Sequence, residues 1–165
     1  MEITEHLIAG SRCTSKKTEY QVAEVQLSYR PNIKSTERPK VSSAEHAYNL
    51  FLQSWDLDKL EFIEQCKVLL LDRANRALGI IDISSGGLSG TVVDPKLIFA
   101  AALKSAASSI ILAHNHPSNN PRASEADKHL TNKIDAGCRL LDISLFDHLI
   151  ITAEGFTSFV NEGLL

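Results

Sequence analysis

No apolar run in this chain approaches the ~20 residues that a membrane-crossing helix requires; stretches such as KLIFAAAL are far shorter. The start, MEITEHLIAGSRCTSKK, lacks a basic segment followed by an apolar one, so no secretory signal is expected. Cysteine is scarce: Cys13, Cys66 and Cys138 are odd in number, and none belongs to a CxxC pair. That pattern argues against a disulfide framework and against a cysteine zinc finger, and it suits reduced thiols in the cytoplasm. An excess of charge of one sign is missing too. A formal net charge of -3 and a pI near 6.1 give no global attraction to phosphate backbones, so direct nucleic-acid binding is not expected. There is no internal repeat and no low-complexity tract.

What is present is ordinary for one folded domain: 165 residues, 44% hydrophobic and 22% charged. EYQVAEVQLSYR alternates, with Val25, Leu27 and Tyr29 on one face, and predicts an early strand. PNIKSTERPK reads as a solvated cationic linker. SSAEHAYNLFLQSW reads as a helix, with Ser42 and Glu45 as a capping box and Tyr48, Phe51, Leu52 and Trp55 along one side. CKVLLLD suits a buried central strand, RANR a turn, and ALGIIDIS an antiparallel partner. After the loop SGGLSG, DPKLIFAAALKSAAS predicts a helix with Pro95 in its first turn, followed by the strand SIILAH. Ser124 opens a further helix with Ala126, Leu130, Ile134 and Cys138 at helical spacing and Gly137 near its end. ISLFDHLIIT and TSFV close the chain as strands. This order predicts a mixed sheet flanked by helices, an α/β or α+β sandwich.

The chemistry concentrates in AHNHPSNNPRASEAD, residues 113–127. In a strand, residues i and i+2 share a face, so His114 and His116 present two imidazoles together while Asn115 turns away. Pro117 ends the ladder at a place where sheets commonly expose side chains to a cleft. With Ser124 as N-cap, Asp127 falls at the third position of the helix, where its carboxylate can swing back toward the strand end. Two imidazoles and a carboxylate suit Zn²⁺ with a position left for water, the pattern of a catalytic rather than a structural site. Taken separately, HxH is also a plain strand end and SxxD a plain capping box. The two readings are compatible, because a cap can hold a ligand.

This array, HNHPSNNPRASEAD, resembles the JAMM (MPN+) zinc-hydrolase signature, and especially its bacterial RadC branch. VLLLDRANRALG before it and DHLIIT after it also resemble RadC segments. The likeness runs from Ser42 to Leu165. It implies a JAMM/MPN-like, cytidine-deaminase-like sandwich over residues 41–165. Residues 1–40 would form a strand and linker, without the helix-hairpin-helix of longer RadC proteins. By the same resemblance His114, His116 and Asp127 hold one Zn²⁺ per chain, and Ser124 helps stabilise an oxyanion. The family also uses a glutamate just before the central strand. EQCKVL places Glu64 there, with Cys66 where an aromatic is usual, and Glu61 is the alternative. Ala123 stands where a proline often precedes the serine. The implied activity is metallopeptidase-like or isopeptidase-like cleavage of an unknown peptide or amide substrate, with zinc-activated water and a glutamate base. A DNA repair or recombination accessory and a non-catalytic MPN scaffold are the alternatives.

Outside the motif, Asp147 and His148 read as buried hydrogen-bonded support, with His148 able to back a zinc histidine. His129 reads as a surface residue, and Cys66 and Cys138 as core thiols.

Overall fold

The centre of the molecule is built from strands that are apolar on both faces, which requires helices above and below them. The computed structural model describes residues 29–30, 32–87 and 90–165. In chain order these contain α1 (Ala44–Ser54), β1 (Gln65–Leu71), β2 (Ala77–Ser85), α2 (Pro95–Lys104), β3 (Ser109–Asn115), α3 (Glu125–Leu140), β4 (Ser144–Thr152) and β5 (Gly155–Ser158). The strands form one mixed sheet in the order β2-β1-β3-β4-β5. Only β3 and β4 run parallel, and α3 makes the crossover between them.

Alternation along the central strands divides the core into two layers. Leu69, Leu71, Ile111, Ala113, Leu149 and Ile151 pack with Ala47, Phe51 and Trp55 of the α1 segment. Val68, Leu70, Ile110 and Leu112 pack on the opposite face with Ile98 and Ala102 of α2 and Ile134 and Cys138 of α3. His114 continues the second series, so it points toward the α2/α3 layer. Among the described residues no helix is long and apolar enough to cross a membrane.

The early strand expected over residues 19–30 lies almost wholly outside the described residues, and Tyr29 and Arg30 are not in a strand. The cap of α1 is Ser43 rather than Ser42: Ser43 accepts from the His46 amide, while the Ser42 hydroxyl meets His46 Nδ1 at 3.0 Å. The C-terminal strand stops at Ser158, before Phe159 and Val160. Asp147 halts it by accepting from the Ser158 hydroxyl and from the Val160 amide. Gly137 lies near the end of α3, as expected, and the helix continues to Leu140. A Cβ at Gly137 would run into the Phe99 ring of α2, so this glycine permits close helix packing.

Candidate metal centre

The site forms where β3 runs out against the start of α3. His114 lies opposite Cys66 in the β1–β3 register and is 4% exposed. The strand ends at Asn115, one residue earlier than the pairing of two strand histidines requires. The His116 amide nonetheless donates to Ile151 O at 2.9 Å, which keeps its ring on the same side as His114. The two rings meet edge to face, with centroids 4.8 Å apart and Nε2 atoms 2.9 Å apart.

The loop that follows is braced along its length. Asn119 donates to Glu61 and accepts from the Ala153 amide, and the Asn120 side chain accepts from the Arg122 amide. The loop delivers the chain to Ser124, which caps α3 in a full capping box with Asp127. Asp127 Oδ2 accepts from both the amide and the hydroxyl of Ser124, each at 2.7 Å. The carboxylate faces the histidines, with Oδ1 3.3 Å from His114 Nε2 and Oδ2 3.5 Å from His116 Nε2. Zinc bonds to nitrogen and oxygen of about 2.0–2.1 Å would set tetrahedral donors about 3.3 Å apart. Each imidazole meets a different oxygen of Asp127 near that distance, one ligand atom from each residue lies within 4.8 Å of the other two, and the His-His-Asp set fits a divalent metal.

Hydrogen bonding decides which ring nitrogens face one another. His116 Nδ1 lies 2.7 Å from Asn120 O, a carbonyl that only accepts, so Nδ1 carries the proton. Thr131 donates its hydroxyl to Asp127 O at 2.7 Å and lies 2.6 Å from His148 Nδ1. His148 Nε2 lies 2.7 Å from His114 Nδ1. His148 is fully buried, and that burial, followed by the charge of His114, holds its ring well below the usual histidine range. The neutral ring therefore donates from Nδ1 to Thr131 and accepts at Nε2 from His114. Both histidines are left with Nε2 lone pairs aimed at the same point, an arrangement that calls for a proton or a cation between them.

Burial opposes ionisation of Asp127. The two imidazoles beside it, His114 first and then His116, outweigh it with help from Ser124 and hold the carboxyl well below its usual range. The Asp127 contact is also the main cause that raises His116.

Glu64 reaches the same place by a different route. Its amide donates to Gly87 O at 3.2 Å, and its carbonyl accepts from the Gly86 amide at 2.8 Å. A Cβ on Gly86 would collide with the backbone of Gly90 and Thr91, so only glycine allows that approach. Glu64, His114, His116, Ser124 and Asp127 all line one cavity of about 680 Å³. Glu61 does not line it; it is exposed and accepts from Asn119. Cys66, behind the site, is buried. Burial first, and then the charge of Glu64, push its thiol up to about 12, so it is a wall rather than a nucleophile.

Asp147 and His148 do not act as a pair. The aspartate turns to the chain end, and the histidine turns to His114. His129 is exposed, as expected. Two contributors escape a local reading. Thr131 orients His148, and Asn115, fully buried, donates to Leu60 O and Ile63 O and accepts from the Gln65 amide. Asn115 thereby fixes the segment that carries Glu64. Its only signal in the sequence is a polar amide between apolar strand residues, which must find partners when buried.

Comparison with known proteins places this arrangement. A "UPF0758 protein" of Flavobacterium johnsoniae is 43% identical over 101 residues, 61% of this chain and 44% of that protein. One from Porphyromonas gingivalis is 39% identical over 149 residues, 87% of this chain and 63% of its own length. One from Symbiobacterium thermophilum is 38% identical over 103 residues, 62% of this chain and 44% of that protein. The chain thus spans about half the length of the curated relatives it matches. The family model for the RadC-like JAB domain matches residues 41–164, the whole of the described sheet and its helices, and the chain belongs to that family.

Proposed function

We propose that this domain hydrolyses an amide bond with the help of one zinc ion held by His114, His116 and Asp127. The JAB family is broadly hydrolase-like. The observation that carries the proposal is the convergence of three ligand atoms on a cavity that Glu64 also lines. Bound zinc would lower the pKa of a coordinated water to about 7 and polarise a carbonyl. Glu64 accepts a proton from the attacking water and returns it to the leaving amine. Ser124 turns its hydroxyl from Asp127 to the substrate carbonyl oxygen as negative charge develops there. His114 and His116 are held in the tautomer that donates electrons from Nε2, and the capping box holds Asp127 in place.

Glu64 is favoured over Glu61 as the base because only Glu64 reaches the cavity wall. Direct nucleic-acid binding is no part of the proposal, since a formal net charge of -3 gives no general attraction to phosphate backbones. The free, buried thiols of Cys66 and Cys138 support the cytoplasmic reading.

The test has two parts. Purified protein should hold about one zinc per chain, and His116→Ala should lose it; equal occupancy in the variant refutes the site. Against a mixed library of peptides and isopeptide-linked peptides read by mass spectrometry, Glu64→Gln should keep zinc and lose cleavage. Glu61→Gln should retain both. The reverse result moves the base to Glu61.

A further inference from the structure

We propose that His148 and Thr131 are positioning residues which set the tautomer of His114 and thereby the affinity of the metal centre. The inference rests on the metal-centre reading above and goes beyond it, because neither residue offers an atom to the metal. Its basis is a closed series of hydrogen bonds. Thr131 lies one helical turn beyond Asp127, and its hydroxyl proton is committed to Asp127 O at 2.7 Å. Its oxygen can then only accept from His148 Nδ1, 2.6 Å away. That leaves His148 Nε2 to accept from His114 Nδ1 at 2.7 Å, and His114 Nε2 without a proton. Each link fixes the direction of the next.

The arrangement leaves His148 little freedom to move. It is fully buried in β4, and Phe159 stacks on its ring at 4.6 Å. Thr131 is 1% exposed, so no water replaces its oxygen as acceptor. Without that acceptor a buried Nδ1–H is unsatisfied, and the proton favours Nε2, where it points at His114 Nδ1. His114 must then shift its own proton to Nε2, which is the atom the metal needs. One hydroxyl thus connects the first histidine ligand with the backbone of the aspartate ligand. Outer hydrogen bonds of this kind typically alter metal affinity 10- to 100-fold.

The experiment measures zinc affinity by competition with a chromophoric chelator, and histidine tautomers by long-range ¹H–¹⁵N spectra of the full chain. Thr131→Val should bind zinc about 10- to 100-fold more weakly, and Thr131→Ser should restore affinity to within a few-fold. In zinc-loaded wild type, His114 and His148 should both carry the proton on Nδ1. Equal affinity in wild type and Thr131→Val overturns the inference while leaving the metal centre intact. So does an Nε2 proton on His148 in wild type, a result that needs no variant to fold. Absence of zinc binding by wild type overturns the metal-centre reading and this inference together.

Discussion

Replacing Asn115 by alanine should uncouple the Glu64 carboxylate from the His114–His116–Asp127 cluster. The amide is fully buried at the end of β3 and makes three hydrogen bonds, at 2.7, 2.7 and 2.8 Å, to a segment 50 to 55 residues earlier in the chain. Truncation leaves the Gln65 amide and the carbonyls of Leu60 and Ile63 without partners. Buried groups abandoned in this way cost about 1–3 kcal/mol each, so the lower end for three is about 3 kcal/mol. Urea unfolding with chelator present isolates this loss from any contribution of bound metal. With a slope of about 2–3 kcal/mol/M, the midpoint should fall by about 1 M or more. Zinc affinity should stay within a few-fold of wild type, because no ligand hangs on the amide, while cleavage should fall sharply as Glu64 loses its support. Asn115→Asp should be at least as unstable, since its carboxylate faces two carbonyl oxygens that need donors. A loss below about 1 kcal/mol for Asn115→Ala would refute the assigned role, because it would mean that those backbone groups find other partners.

Two further outcomes probe the packing. Gly137→Ala should destabilise the fold by about 1–2 kcal/mol despite alanine's better helix propensity, because the added methyl meets the Phe99 ring; an increase in melting temperature would contradict that contact. Burial, aided by neighbouring carboxylates, raises the thiols of Cys66 and Cys138 to about 12 and about 11. Neither should label with a disulfide reagent at pH 8 until the protein unfolds, as mapped by peptide mass, and rapid native labelling of Cys66 would count against its place behind the site. Because the folded values lie above the unfolded value of 9.0, the thiols favour the fold fully below about pH 9. That contribution is lost as the pH rises toward 11–12, so urea midpoints should decline over that window.

Much of the architecture was legible in local pattern. The mainly apolar runs of β1 and β3, Pro95 in the first turn of α2 and the cap at Ser124 all act between residues close in the chain. The convergence of His114, His116 and Asp127 was legible for the same reason: the spacing of the two histidines and the Ser124–Asp127 box are short-range geometry. Small errors arose where two neighbours compete for one role. Ser42 and Ser43 both suit a cap, and only the path of the chain into α1 decides between them. Gly137 stands near its helix end as expected, but that it admits the Phe99 ring is decided by the packing of α2 on α3.

The amino-acid order alone determined the alternation of strands and helices and the convergence of His114, His116 and Asp127 at one strand end. Tertiary structure decided which glutamate shares their cavity, and it recruited Asn115, His148 and Thr131 to the site. These partners are 17 to 55 residues apart and meet only because the register of β1, β3 and β4 brings them opposite one another. Hydrogen bonds depend on position to within fractions of an ångström, and no periodicity within one segment encodes where another segment will lie.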